Sequence, residues 1–201
     1  GRGGGLSFVF SNVDLVDNTI AYNVTDGAGG GVQMEQVNAT FRDTLIRENH
    51  AVGTGTGSGG GIHLISTSAA MTNTVLIDNQ VSYGAAGMAA VGAYVRMVHS
   101  TVARNHGGDD SGIYLSLMNP GGPAAVLMTD SIVVDHGVGI TATAGTMGMT
   151  NTATLDGVLW YGNGTNTGGG GVIHVTNATT GDPAFAPDGY HLCPFSAAID
   201  Q

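Results

Sequence analysis

The chain has 201 residues, a length that suits one domain, and its 42% hydrophobic and only 10% charged content excludes a disordered chain. Its formal net charge is −10, which excludes the basic footprint of a nucleic-acid binder and disfavours an anionic membrane surface. It contains no lysine and no apolar run of about 20 residues, so no membrane span is predicted.

Glycine clusters followed by an aliphatic residue are the first of two signals that recur along the chain. They are Gly3-Gly4-Gly5-Leu6, Gly29-Gly30-Gly31-Val32, Gly59-Gly60-Gly61-Ile62 and Gly168 to Gly171 with Val172, with shorter forms at Gly87-Met88 and Gly112-Ile113. A phosphate-binding loop would need a lysine, and a dinucleotide fingerprint would need a helical pattern after the glycines; neither is present. We interpret the glycines as tight turns and close packing of the backbone.

Short β-like segments that end in Asn are the second signal. They read "DNTIAYN", "DTLIREN", "NTVLIDN", "HSTVARN", "DSIVVDH" and "DGVLWYGN", and they close at Asn23, Asn49, Asn79, Asn105, His136 and Asn163. The closing residues recur every 26 to 31 residues, which is the range of stacked repeats. Because one such unit cannot bury its own apolar face, successive units must stack.

These signals predict an all-β fold, a single-stranded parallel β-helix (solenoid) of about seven coils at a spacing of about 4.8 Å. Right-handedness is expected from the general rule for parallel crossovers. Residues 1–180 are predicted to form the coils, and residues 181–201 to be a coil-closing motif of the same domain. The start at "GRGGG" without Met indicates a processed or partial product.

The closing residues predict a structural ladder along the solenoid axis, formed by Asn23, Asn49, Asn79, Asn105 and Asn163. Asn tolerates left-handed backbone at corners, and stacked Asn side chains can hydrogen-bond along the axis. His136 is interpreted as a substitution within this ladder.

Alternation within the second signal divides each strand into two faces. We expect the following set to point inward: Thr44, Ile46, Thr74, Leu76, Ser100, Val102, Ser131 and Val133. The alternate set is Leu45, Arg47, Val75, Ile77, Thr101, Ala103, Ile132 and Val134, which would leave an unusually apolar outer surface. Either the opposite assignment is right, or this surface packs on a loop, another domain or another copy.

The "N-x-A-x-x-(G/S)-G-G-G-Φ" units resemble right-handed β-helix repeats of bacterial surface and secreted proteins, and are similar to the pectate-lyase-like superfamily and to polymorphic outer-membrane-protein repeats. The ending "GDPAFAPDGYHLCPFSAAIDQ" resembles the "DP-x-F … YHL … S-x-AID" ending of choice-of-anchor Q domain proteins, from which Cys193 and Phe195 depart. This resemblance implies an exported, surface-associated protein. It implies no particular activity, because fold does not fix function.

Polysaccharide cleavage is the enzymatic hypothesis. Its candidate catalytic residues are Arg96, His99, Arg104, His106, Asp109 and Asp110. Arg96 and Arg104 would serve as the base and as a clamp for the anionic substrate, and His99 or His106 would serve as acid or base. The "HGGDD" stretch resembles the His-Gly and Asp-Asp elements of β-helix polygalacturonases, in which paired carboxylates act as acid and base. The alternative interpretation is a polar turn between coils.

Two binding hypotheses concern other columns of the repeat. One column of equivalent repeat positions would offer oxygen ligands to Ca²⁺, or its residues simply initiate turns. It contains Asp17, Asp43, Asn73, His99, Asp130 and Asp156. The positions after the glycine clusters predict a partner or carbohydrate face formed by Gln33, His63, Tyr114 and His174. No cofactor is expected to be required and no specific metal ligand is assigned.

The sequence favours an extracellular or cell-surface structural or adhesive module over an enzyme. Its expected partners are further copies of itself, as a homo-oligomer or filament, or a surface partner that includes polysaccharide. A polysaccharide lyase or glycoside hydrolase acting on an acidic polysaccharide is the alternative.

Overall fold

The computed structural model describes residues 3–53, 58–118, 121–146 and 148–199, and these residues form strands and turns with no helix. Three sheets of seven parallel strands each run along the molecule, which corresponds to about six complete turns and confirms the predicted parallel β-helix. No helix long and apolar enough to cross a membrane occurs among the described residues.

The three sheets take one strand each from every coil, in the chain order sheet 1, sheet 2, sheet 3. Sheet 1 contains Leu6–Val9, Val32–Glu35, Ile62–Ile65, Met88–Val91, Ser111–Ser116, Val138–Ala142 and Thr165–Gly168. Sheet 2 contains Asn12–Val16, Asn38–Arg42, Ser68–Thr72, Tyr94–Val98, Ala125–Thr129, Thr152–Asp156 and Val172–Thr176. Sheet 3 contains Thr19–Ala21, Leu45–Arg47, Val75–Ile77, Thr101–Ala103, Ile132–Val134, Leu159–Tyr161 and Thr179–Thr180.

Two smaller sheets lie between sheet 3 and the next sheet 1. One contains Val24–Thr25, His50–Ala51, Gln80–Val81 and His106–Gly107, and the other contains Ser58–Gly59 and Gly84–Ala85. The number of residues between a sheet 3 strand and the next sheet 1 strand varies from coil to coil, and the small sheets occur where this connection is long.

The core consists of aliphatic columns inside the coils. In sheet 2, for example, Phe41 pairs in register with Met71, and Met71 with Met97, and all three are buried. The expected inward residues of sheet 3, from Thr44 and Ile46 to Ser131 and Val133, are likewise buried, which confirms that half of the face assignment. Register is therefore specified by the same period-two pattern in each coil.

A left-handed residue stands at each corner of most coils. Between sheets 1 and 2 the positive-φ residues include Phe10, Gln36 and Ser66, and between sheets 2 and 3 they include Asp17, Asp43 and Asn73. After sheet 3 they are Tyr22, Glu48, Asp78, Arg104, Asp135 and Gly162. The expectation that the ladder Asn residues adopt this conformation was wrong, because the preceding residue takes the left-handed turn.

The glycine clusters allow the coils to approach at the start of sheet 1. A Cβ on Gly60 would lie 2.3 Å from the carbonyl oxygen of Ala86 in the next coil. A Cβ on Gly61 would lie 2.8 Å from the carbonyl oxygen of Gly87 and 3.0 Å from the Nδ2 of Asn79. The glycines thus make room for the backbone and for the ladder, which agrees with the packing interpretation.

The last coil is shorter than the others, and this moves its glycine cluster. Gly168 ends the sheet 1 strand, and Val172 begins the sheet 2 strand, where it pairs with Thr152. The cluster Gly168 to Gly171 therefore forms the corner between sheets 1 and 2. Its expected equivalence to the cluster before Ile62 was wrong, because the chain crosses directly to sheet 2 at this point.

Candidate functional site

The C-terminal arm, defined here as residues 181–199, leaves the stack and packs on the outer face of sheet 3. Its Phe185, Tyr190, Ala197 and Ala198 pack against a cluster that contains buried Ile77, Ala103 and Val134. This contact explains why the alternate set of sheet 3 is apolar, and it selects the loop-packing alternative offered by the sequence. The arm replaces water over a face that would otherwise be exposed hydrocarbon.

Arg104 joins the arm to the solenoid. Its Nε donates to the Oδ1 of Asp78 at 2.9 Å, and its Nη2 donates to Asp78 Oδ2 at 3.0 Å and to the carbonyl oxygen of Gly189 at 3.1 Å. The guanidinium carbon also lies 5.7 Å from the centroid of the Phe185 ring. Asp78 and Arg104 occupy equivalent left-handed corners in adjacent coils, so their ion pair runs parallel to the solenoid axis.

A long groove remains between the arm and the corner that joins sheets 2 and 3. It has a volume of about 1110 Å³ and runs from Asp17 in the first coil to Thr179 in the last. Its floor is one column of sheet 3, in register from coil to coil: Thr19, Leu45, Val75, Thr101, Ile132, Leu159 and Thr179. Over this number of coils the groove is about 29 Å long at the usual strand spacing.

The two walls of the groove differ in chemistry. One wall is the corner column, which contributes Asp17, Asp43, Asn73, His99, Asp130, Asp156 and Asn177. The other is the arm, which contributes Tyr190, His191, Leu192 and Ala198. The floor is most open in the early coils, where Thr19 is exposed and Leu45 and Val75 are half-buried, and it is buried beneath the arm at Ile132 and Leu159.

Hydrogen bonds organise the polar wall. Asn73 Nδ2 donates to Asp43 Oδ1 at 2.5 Å, and Asn177 Nδ2 donates to Asp156 Oδ1 at 2.8 Å. Each of these amides donates to the carboxylate of the coil before it and so stabilises the negative charge of that Asp. Asp156 lies one position before the left-handed corner, which Gly157 occupies in that coil, so the predicted column is shifted there by one residue.

The arm presents an aromatic rim to the groove. The rings of Tyr190 and His191 lie with centroids 4.5 Å apart. His191 Nδ1 is 2.6 Å from Asp188 Oδ2, and the hydrogen bond from His191 lowers the pKa of Asp188 to about 2. Asp188 therefore stays ionised and holds the imidazole in place.

The structure describes no group of three or more His, Cys, Asp or Glu side chains that could hold a metal ion within residues 3–53, 58–118, 121–146 and 148–199. In the corner column, Asp17, Asp43 and Asp130 have left-handed backbone conformations, as expected if these residues form turns. Calcium binding by this column stays a prediction.

The six candidate catalytic residues are distributed over several faces. Arg96 is exposed on sheet 2, His99 is exposed in the groove wall, and Arg104 is engaged with Asp78 and the arm. His106 is exposed in one of the small sheets. The structure does not bring the arginines and the acidic pair together.

Asp109 and Asp110 shape the loop that follows His106. Asp109 Oδ1 accepts a hydrogen bond from the backbone N–H of Ser111 at 3.0 Å, and Asp110 Oδ1 accepts one from the N–H of Gly107 at 3.1 Å. Loss of water around the Asp109 carboxylate raises its pKa although the residue as a whole is exposed. These contacts match the alternative of a polar turn.

Gln33 and His63 lie side by side on sheet 1 but are buried, being 6% and 8% exposed. Burial lowers the pKa of His63 to about 4, so the imidazole is neutral at pH 7. Gln33 Oε1 and His63 Nδ1 find no hydrogen-bond partner within the described part of the chain. The neighbouring coil places Ala89 in the same column and the next one half-buried Tyr114.

His174 does not share the face of Gln33, His63 and Tyr114. It is exposed on sheet 2, paired with Thr154, because the short last coil moves the residues after Gly171 onto that sheet. The expectation of one shared face was therefore wrong in its placement of His174 and in treating His63 as exposed. Ile62 and Leu64 point inward, as expected.

The Asn ladder forms as predicted. Asn23, Asn49 and Asn79 each donate from Nδ2 to the Oδ1 of the next Asn, at 2.9 to 3.0 Å, and the last acceptor is Asn105. His136 continues the column, with its Nε2 3.2 Å from Asn105 Nδ2 and its backbone N–H donating to Asn163 Oδ1 at 3.0 Å. The ladder is buried from Asn49 to His136, which marks it as a stabilising network.

The groove could not be predicted from the sequence, although two of its components have sequence signals. The apolar alternate set of sheet 3 indicated a face that packs on something else, and the turn-initiating Asp and Asn residues indicated polar turns. What no local pattern shows is that the "YHL" segment returns to this side and leaves a gap. A comparison with known proteins found no matching family model, no matching curated protein and no matching solved structure. The fold and groove define the chain as a parallel β-solenoid.

Proposed function

We propose that this chain is an extracellular or cell-surface adhesive module, which binds a partner in the groove and does not transform it. The observation that carries this proposal is the groove itself, whose floor and polar wall repeat once per coil along the whole stack. A repeated surface of this kind offers many weak equivalent contacts to a long ligand. Such contacts suit adhesion, because avidity grows with the number of sites engaged.

Binding is favoured over cleavage by the state of the charged groups. Arg104 is committed to Asp78 and Gly189, and Asp109 and Asp110 are committed to backbone amides. A lyase would need a free basic residue beside an anion clamp, and a hydrolase would need an acid and a base facing one bond. The resemblance of the repeats and of the ending to bacterial surface proteins supports the proposed location.

The decisive experiment compares retention with turnover. The chain is run through gels that contain soluble polysaccharides, and the same polymers are assayed for new reducing ends or unsaturated products. We expect retardation without product, and loss of retardation in Val75→Arg, which places a long cationic side chain on the open part of the floor. Ala70→Arg on exposed sheet 2 is the matched control and should leave retardation unchanged. Product formation that disappears in Asp109→Asn would replace this proposal with the enzymatic one.

Self-association is a second candidate, favoured by apolar groups on the two end coils. Phe10 is 75% exposed in the first coil, and Val175, which belongs to a core column of sheet 2, is 45% exposed in the last. Edge strands with free backbone groups can pair with another copy, and a head-to-tail contact would extend all three sheets. This contact uses different surfaces from the groove.

Complementary variants test this candidate. Phe10→Lys and Val175→Lys each block one end, so neither variant should form particles larger than the monomer in sedimentation velocity. Their mixture should form dimers, because each retains the end that the other lacks. A wild-type chain that sediments as a monomer at every concentration would refute end-to-end association.

A further inference from the structure

We propose that the ligand of the groove is an uncharged, extended glycan that lies along the solenoid axis, an inference that rests on the binding function proposed above. The open section formed by Asp43, Leu45, Asn73 and Val75 would hold successive sugar residues, and Tyr190 and His191 would flank them.

The mixed chemistry of the open section is the first argument. Leu45 and Val75 form a half-buried aliphatic floor, and Asp43 and Asn73 lie directly beside it at the corner. A sugar ring has the same division, with C–H groups on its faces and hydroxyls at its edge. Its face can cover the aliphatic floor while its hydroxyls donate to the Asp43 carboxylate.

Charge is the second argument, and it separates this ligand from acidic polysaccharides. Among the described residues that line the groove, four are Asp and two are His, and one of these histidines, His191, is already paired with Asp188. The chain carries a formal net charge of −10. A polyuronate would be repelled from such a surface, and its carboxylates would find no arginine among the groove residues that the structure describes.

Repeat length is the third argument, and it separates the glycan from an extended peptide. Equivalent groove residues are spaced by one coil, about 4.8 Å, whereas side chains on one face of an extended peptide recur about every 6.6 Å. A peptide would therefore fall out of step with the wall after a few residues. One sugar of an extended glycan has a length close to one coil, so the same contacts can recur.

The rim of the arm is the fourth argument. Tyr190 and His191 form a tilted aromatic pair with centroids 4.5 Å apart at the edge of the groove. Aromatic rings commonly contact the C–H face of a sugar, while their polar atoms reach its hydroxyls. The arm therefore adds a wall that can contact the ligand from the side opposite to Asp43.

The test measures affinity for four soluble polymers by gel retardation and titration calorimetry at low and high salt: a neutral β-linked glucan, a neutral mannan, polygalacturonate and poly-lysine. We expect binding to at least one neutral glycan that salt leaves unchanged. Asp43→Gly keeps the left-handed corner accessible but removes the acceptor, and Tyr190→Ala removes the rim; each should weaken binding by about tenfold.

The controls separate hydrogen bonding from charge and from folding. Asp43→Asn retains an acceptor oxygen and a tolerated left-handed residue, so glycan binding should be kept. Asp135→Gly makes the same change at an exposed left-handed corner after sheet 3, outside the groove, and should have no effect. Loss of binding in this control would overturn the assignment to the groove.

The outcomes distinguish the ligand class from the function. Salt-sensitive binding of poly-lysine that Asp43→Asn abolishes, or groove-dependent binding of polygalacturonate, would overturn the glycan inference and keep the adhesive function. Folded protein that binds none of the four polymers would overturn both.

Discussion

Asn105 and His136 are joined by a hydrogen bond across adjacent coils, in which Asn105 Nδ2 donates to His136 Nε2 over 3.2 Å. The direction of the bond follows from the ladder, since Asn105 Oδ1 already accepts from Asn79. His136 must therefore be neutral, with its proton on Nδ1, for the column to remain intact. Burial is the main cause that lowers the pKa of His136 to about 4.

The first prediction concerns stability in acid. The folded pKa of His136 lies below its unfolded value of 6.5, so its neutral form stabilises the fold fully above that pH, and this stability is lost as pH falls toward about 4. The loss amounts to as much as about 3 kcal/mol. We expect His136→Asn, which restores the ladder residue, to reduce the pH dependence of the free energy of unfolding, measured by urea titration between pH 7 and pH 4.

His106→Asn makes the same substitution at an exposed position and serves as the matched control for this variant. Buried His63 has its pKa lowered in the same direction, so some acid sensitivity should persist in His136→Asn. An unchanged pH profile in His136→Asn would contradict the role given to this residue.

The second prediction concerns the ladder itself. Asn79 accepts from the Nδ2 and the backbone N–H of Asn49 and donates to Asn105 and to the carbonyl oxygen of Ile46. Asn79→Ala leaves these buried groups without partners, and we expect a loss of about 4 kcal/mol, since each unsatisfied group costs about 1–3 kcal/mol. Asn18→Ala, which removes an exposed bond to Val16, should cost under about 1 kcal/mol by the same measurement.

The third prediction separates structurally required glycines from tolerant ones. Gly60→Ala would place a Cβ 2.3 Å from the Ala86 carbonyl oxygen and 2.6 Å from that of Gln80. Neither backbone atom can move without separating the coils, so we expect a loss of about 3 kcal/mol or failure to fold. A Cβ on Gly168 meets only side-chain atoms, the nearer at 3.2 Å.

Gly168→Ala should therefore change stability by no more than about 1 kcal/mol. The fluorescence of Trp160, the single tryptophan and a buried residue, reports unfolding in both variants. A loss at Gly60→Ala as small as that expected at Gly168→Ala would show that Gly60 is not required for the approach of the coils.

The fourth prediction concerns the attachment of the arm. Arg104→Ala removes the bonds to Asp78 and Gly189 and the contact with Phe185, so amide hydrogens of residues 181–199 should exchange faster. Because the ion pair is partly exposed, the global stability should fall by only about 1 kcal/mol. Arg104→Lys should give an intermediate effect, since a lysine cannot form the two-pronged contact.

Arg96→Ala is the matched control, because Arg96 is exposed on sheet 2. It should leave exchange in the arm unchanged. Uniformly faster exchange throughout the solenoid in Arg104→Ala would indicate that Arg104 supports the whole stack and not the arm.

The stacked repeat, the inward columns and the ladder could all be predicted from the amino-acid sequence. Each of these depends on spacing along one chain: Asn49 and Asn79 meet because they are one coil apart, and Ile46 and Leu76 are buried because alternation is period two. Even the substitution of His136 was visible in the spacing. Such features follow from local periodicity, which the fold converts directly into contact.

The position of the arm and the residues that line the groove are set by tertiary contacts that no repeat in the sequence predicts. The contact of Arg104 with Gly189 joins residues 85 positions apart, and no repeat relates them. Likewise, the burial of His63 does not follow from period-two alternation, and the move of His174 to sheet 2 depends on the short last coil. The arm packs where it removes the most apolar surface from water, and this depends on which residues the fold brings together in space. The groove forms because the arm covers Ile77, Ala103 and Val134. Leu45 and Val75 remain half-buried beside it.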